Sequence, residues 1–153
     1  MSRSVGKSVQ LDKNDICALI PHQGAMCLLD EVLSWDASRI LCRSHSHLSK
    51  DNPLRSEGRL RAVCGVEYAA QAMALHGALL SAGPIAAGYL VSVRNLRLHV
   101  SYLDDLDDAL TVDARRLMGG AEGLVYEFSV SARKDTLLSG RLTVSLFQNG
   151  KDE

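Results

Sequence analysis

One carboxylate stands out by its surroundings. Glu67 lies near the start of the run Gly65-Val66-Glu67-Tyr68-Ala69-Ala70-Gln71-Ala72-Met73-Ala74-Leu75-His76, in which nearly every neighbour is small or apolar. From about Cys64 to Ser81 the chain is rich in alanine and other helix formers, and this predicts a long helix. An acid in the first turn is favoured by the helix dipole and by backbone N–H groups that lack an intrahelical partner. Such an acid serves either as a terminal charge or as a proton-transfer group, and the apolar setting of this helix argues for the second. Gln71, four residues on and about 40° round the helix, shares its face and can orient it. His76, nine positions on, faces the opposite way.

A carboxylate working alone is half of an acid–base pair, and histidine is the usual other half near neutral pH. The five histidines are His22, His45, His47, His76 and His99. His22 follows Pro21 directly and either bonds turn backbone or transfers a proton. His47 opens a polar segment, while His45 and His99 read as half-exposed strand residues. The cysteines Cys17, Cys27, Cys42 and Cys64 are spaced 10, 15 and 22 apart with no C-x-x-C pair, so they are expected to be reduced, mostly buried thiols. The acidic run Asp104, Asp105, Asp107 and Asp108 lacks the spaced ligands and glycine of a calcium loop and reads as a solvated turn; no metal site is expected. Arg55, Arg59 and Arg61 read either as solvated side chains or as contacts for a phosphate or an acidic protein.

The elements that must position these groups follow from periodicity. Leu11 to Pro21 reads as a short helix capped by Asp12, and Cys27–Trp35 and Arg39–Ser46 as two strands. His47 to Arg61 is too polar for a buried element and is expected to be an ordered loop. Leu124, Tyr126, Phe128, Val130 and Ala132 alternate with a mostly polar set, as do Leu138, Gly140, Leu142, Val144 and Leu146; Leu110, Val112 and Ala114 begin a further such strand. Between Tyr89 and Val100 the apolar positions shift by one near Arg94-Asn95, which predicts a β-bulge. The whole reads as α+β, an antiparallel sheet of about five or six strands wrapped around one long central helix, the hot-dog layout. One domain over residues 11–147 is expected, with residues 1–10 and 149–153 loose.

Bulk properties narrow the function. Seventeen basic and 18 acidic side chains nearly cancel, so no overall field would hold a nucleic acid or an anionic membrane. The polar start MSRSVGKSVQ is not followed by an unbroken apolar run, and His76, Gly77, Gly83 and Pro84 interrupt the apolar stretch from Ala72 to Val93. A cytoplasmic protein without a membrane span is expected.

The run Pro21-His22-Gln23-Gly24-Ala25-Met26-Cys27-Leu28-Leu29-Asp30-Glu31-Val32 resembles the P-H-x-x-x-x-L-L-x-D-x-V opening of the 3-hydroxyacyl-acyl carrier protein dehydratases, hot-dog enzymes. Gly65-Val66-Glu67-Tyr68-Ala69-Ala70-Gln71-Ala72 resembles the start of their central helix, where a carboxylate stands four residues before a glutamine. Together with Asn52-Pro53-Leu54-Arg55 and the Leu103-Asp104-Asp105 turn, these motifs are most similar to the dehydratase-like proteins of aryl polyene and related polyketide biosynthesis. The resemblance implies a lyase that needs no cofactor and acts on an acyl chain carried by phosphopantetheine on an acyl carrier protein. It assigns the catalytic carboxylate to Glu67, with Gly65 and Gln71 in support.

The histidine is a separate matter. Fatty-acid dehydratases carry it in a G-H-F-P segment fourteen residues before the helix carboxylate, and that offset falls here on Pro53. His22 is the first candidate in its place and His47 the second. The resemblance also implies a dimer in which carboxylate and histidine come from different subunits, either a homodimer or a heterodimer with a second hot-dog chain. Two other functions remain open: a thioesterase on the same scaffold, and a non-catalytic subunit that completes a heterodimer with an active dehydratase.

Overall fold

In a computed structural model that describes residues 11–20, 26–81, 88–119 and 123–146, the first helix is started by a reciprocal cap. The Asp12 carboxylate accepts the Asp15 N–H at 3.0 Å, and the Asp15 carboxylate accepts the Asp12 N–H at 3.2 Å. This sets α1 (Lys13–Leu19), followed by β1 (Glu31–Trp35), β2 (Arg39–Ser44), α2 (Gly65–Leu80), β3 (Gly88–Leu98), β4 (Leu110–Gly119), β5 (Gly123–Ala132) and β6 (Asp135–Leu146). The six strands form one antiparallel sheet in the order β1-β2-β4-β5-β6-β3. Helix α2 packs against β2, β4 and β5, in the hot-dog arrangement.

The alternation in the sequence becomes the two faces of the sheet. Leu110, Val112 and Ala114 of β4, Tyr126, Phe128 and Val130 of β5, and Leu138 and Leu142 of β6 are buried with Tyr68, Ala69, Ala72 and Leu75 of α2. Each large side chain hidden this way contributes about 1.5–3 kcal/mol, which is why the pattern decides the register. The expected bulge is present: pairing of β3 with β6 shifts between Arg94 and Arg97, and Asn95 takes a left-handed φ of 54°. No helix among the described residues is long and apolar enough to cross a membrane.

Several expectations need correction. Cys17 and Cys27 are joined in a disulfide, because α1 lies against the chain entering β1 with the two Cα atoms 5.9 Å apart; only Cys42 and Cys64 are free. Strand β1 begins at Glu31 rather than Cys27, since the Leu28 backbone is bonded by side chains: its N–H by Gln71 and its carbonyl by Ser44. The acidic turn is only partly solvated. Asp104 is nearly buried and takes Arg59 at 2.9 Å, Arg55 at 3.3 Å and the Leu60 N–H at 3.0 Å. Arg55 also donates to the carbonyls of His47, Ser49 and Gly58, so it holds the loop between β2 and α2 in place and is spent structurally. The interruption at Gly83-Pro84 and both termini expected to be loose lie outside the described residues.

The buried histidines are neutral. His76 donates from Nε2 to the Asp36 carbonyl at 2.7 Å and accepts the Tyr126 hydroxyl at Nδ1; burial holds its pKa low and pushes that of Tyr126 up to about 12. His47, fully buried, meets the Leu106 carbonyl with Nε2 at 2.8 Å, and burial lowers its pKa too. The unfolded chain therefore binds more protons than the folded one below the ordinary histidine value of 6.5. The stability these two imidazoles give is complete above that value and is lost as the pH falls through it. Urea midpoints measured between about pH 7.5 and about pH 5.5 are expected to fall, and a flat profile would contradict two neutral buried imidazoles.

Candidate active site

Glu67 sits in the first turn of α2, half-buried, as the sequence predicts. A 3₁₀ turn over Ala62–Cys64 runs directly into α2, so the helical run starts two residues before the expected Cys64. That turn uses up donors. The Gly65 N–H is bonded to the carbonyls of Ala62 and Val63, and the Ala62 N–H to the Ser101 carbonyl at 2.9 Å. The Gly65 amide is therefore engaged, and what the helix start offers an anion there is its dipole.

Gly65 has a packing role. A Cβ built on it would stand 2.6 Å from a methyl carbon of Leu138, itself fully buried on β6. Only a residue without a side chain lets the start of α2 approach the sheet this closely. The position of Glu67 relative to the sheet is set by that contact.

Gln71 is the hub. It is fully buried, and its amide makes three hydrogen bonds: Nε2 donates to the Met26 carbonyl at 2.7 Å and to Glu67 Oε2 at 3.3 Å, while Oε1 accepts the Leu28 N–H at 2.9 Å. One side chain thus orients the carboxylate and fixes the segment that follows His22. His22 itself, with Pro21 and residues 23–25, lies outside the described residues.

The next residue on the helix anchors the other side of the same region. The Tyr68 hydroxyl lies 2.8 Å from Ser46 Oγ and accepts Asn52 Nδ2 at 3.0 Å; Asn52 also bonds the Ser46 carbonyl at 2.9 Å. Ser44 Oγ extends the chain to Ser46 Oγ at 2.9 Å and the Leu28 carbonyl at 2.6 Å. Burial pushes the Tyr68 pKa up to about 12, so it stays a neutral phenol. Sequence reasoning quoted Asn52 within a motif but assigned it no role; its place before Pro53 was the only available signal.

The remaining candidates have contacts of their own. His47 is held by the Leu106 carbonyl, with its Nδ1 buried and without a hydrogen-bond partner. His76 belongs to the Tyr126 and Asp36 contacts near the other end of α2. His45 and His99 are exposed. No group of His, Cys, Asp and Glu among the described residues could hold a metal ion.

What this arrangement can do is hold one carboxylate, half-accessible, at the positive end of a buried helix while an amide keeps it aimed. Gln71→Leu is expected to cost about 1–3 kcal/mol in equilibrium unfolding, because the Leu28 N–H and Met26 carbonyl lose their partner. Stability unchanged within error would show that these three bonds do not hold the segment.

Comparison with known proteins places this geometry. The described fold is similar to a chain of "The Dehydratase Heterocomplex ApeI:P from Xenorhabdus doucetiae", with a TM-score of 0.79 at 21% identity over 88% of this chain and 91% of that one. It is also similar to AziG of S. sahachiroi (TM-score 0.54, 15% identity, 74% and 86% covered) and to a thioesterase from Haemophilus influenzae (TM-score 0.58, 15% identity, 80% and 81% covered). At such identities these likenesses establish the hot-dog fold. The comparison with curated proteins gave no match. Residues 14–152 match the ApeP-like family, described as ApeP dehydratase, and the chain, aligned to it over nearly its whole length, belongs to that family.

Proposed function

We propose that this chain takes part in dehydrating a 3-hydroxyacyl group carried as a thioester on an acyl carrier protein, in polyene or fatty-acid-like biosynthesis. The observation that supports this most is the Gln71 amide, which joins the half-buried Glu67 to the backbone of Met26 and Leu28, four and six residues after His22 in the sequence. The reaction removes a proton from the carbon next to the thioester carbonyl and passes one to the departing hydroxyl, so that water leaves and a trans-2-enoyl thioester remains. Glu67 is this chain's acid–base group in that scheme. His22 is the first candidate for the second group and His47 the next, with Gln71 positioning the carboxylate and Gly65 setting the depth of the helix. No cofactor enters the balance.

The working unit is a dimer, with a second copy or with another hot-dog chain. A half-accessible carboxylate in a single protomer fits a site closed by a neighbour, and the similar Xenorhabdus protein is described as part of a heterocomplex. A second reading draws on Pro53: with proline where fatty-acid dehydratases place their histidine, this chain completes the site of an active partner and has no turnover alone. A thioesterase, in which Glu67 would activate water against the acyl carbonyl, is the third.

Mass spectrometry of a 3-hydroxyacyl carrier protein incubated with this chain, alone and with candidate partner chains, separates the three. Loss of water with the thioester intact is expected; release of free carrier thiol indicates the thioesterase, and turnover only with a partner the completing subunit. In the active assembly Glu67→Gln is expected to lower the rate at least ~100-fold with little change in folding. An unchanged rate removes Glu67 from the chemistry. His22→Ala and His47→Ala, assayed in parallel, are expected to differ, only one abolishing turnover in folded protein; if neither does, the second group lies elsewhere.

A further inference from the structure

The face of the sheet turned away from α2 carries an uneven distribution of charge. Pairing registers put Arg39 of β2, Arg115 of β4, Glu127 of β5, Arg141 of β6 and Arg94 of β3 in one row across five strands. In the neighbouring row Asp113 of β4 pairs with Ser129, Ser129 with Ser139, and Ser139 with Arg97. Two arginine pairs, Arg39 with Arg115 and Arg94 with Arg141, stand directly opposite each other, an arrangement that destabilises a sheet.

The acids present do not neutralise these cations. Asp113 is taken by Arg39 in two bonds of 2.9 and 2.7 Å, and Glu127 meets Arg141 only at 3.7 Å. Among the described residues Arg97 and Arg115 have no carboxylate partner, and Arg141 Nε is buried with no acceptor. With the Arg39–Asp113 pair closed, four arginines remain against one glutamate. Arg97, Arg115 and Arg141 line an open depression of about 460 Å³, together with Ser129, Ser139 and the carboxylates Asp113 and Glu127.

The geometry points to an anion-binding site in this depression, suited to a small ligand bearing a diphosphate or two phosphate groups. Guanidinium groups match phosphate oxygens in shape and charge, and the serine positions add neutral donors. Among the lining groups, with Asp113 held by Arg39, three arginines stand against Glu127, and this excess of two positive charges calls for a ligand with more than one negative charge. A second copy of the same face would bring cation against cation. A protein partner is the weaker fit, because the donors border one depression rather than spreading over the roughly 800 Å² per side of a stable interface.

The site lies on the sheet face opposite the helix that carries Glu67, so its test uses binding alone. Calorimetric titration of the full chain with inorganic pyrophosphate is expected to give one saturable site per chain. Arg97→Gln combined with Arg115→Gln is expected to weaken it at least tenfold, while Glu67→Gln binds as the parent does. Because the double substitution removes like-charge opposition, the unliganded variant is expected to unfold at the same temperature as the parent or higher, which separates lost binding from lost folding. A nucleoside diphosphate titrated alongside distinguishes an esterified ligand from free diphosphate, both requiring the arginines. No saturable heat, affinity indifferent to the double substitution, or binding of an acidic peptide without pyrophosphate would overturn the assignment.

Discussion

An apolar helix of this length cannot be left in water, and the whole fold answers that constraint. Helix α2 buries Tyr68, Ala69, Ala72, Leu75 and Ala78, and a curled antiparallel sheet is the layer that covers most of its circumference. Because the helix is nearly apolar all round, no amphipathic stripe fixes its rotation. Its orientation is fixed instead by the few polar side chains it carries and by the single glycine that lets one end come close to β6.

Those polar groups behave alike. Gln71, Tyr68 and His76 are buried, and each is matched to specific partners: Gln71 to the backbone of residues 26 and 28, Tyr68 to Ser46 and Asn52, His76 to Tyr126 and the Asp36 carbonyl. A buried amide or imidazole left unmatched costs more than a made bond returns, so each contact admits one rotation of α2 and not its neighbours. The chain thereby gains a defined register between helix and sheet where apolar packing alone would tolerate slippage. Glu67 benefits directly, since the residue that enforces the register also bonds its carboxylate.

Charge is sorted by the same geometry. Alternation along the strands sends Asp113 and Arg115 of β4, Glu127 of β5 and Arg141 of β6 to the outer face, while Arg116 lies opposite the buried Tyr126, and the chance of register decides which of them meet. A chain with 17 basic and 18 acidic residues is balanced as a sum, yet its outer sheet face holds a local excess of arginine while the turn around Asp104 holds a local excess of acid. Arg55 and Arg59 illustrate the difference between the two regions: read from the sequence as solvated or ligand-facing arginines, they are neutralised by Asp104 and Asp105, whereas Arg97 and Arg115 have no carboxylate partner among the described residues.

The sequence by itself determined the element order, the hot-dog layout, the bulge beside Asn95, the family resemblance and the position of Glu67 one turn before Gln71. These are local or periodic properties, written in spacing that a helix or strand repeats faithfully. Only the tertiary structure decided what depends on contacts between distant segments: that Gln71 grips residues 26 and 28, that Cys17 and Cys27 are bonded, that Gly65 is required by Leu138, that His47 is sealed against Leu106, and that arginines from four strands share a face. A pairing across tens of residues leaves no period in the chain, and the physical reason for each appears only where packing brings the two partners within bonding distance.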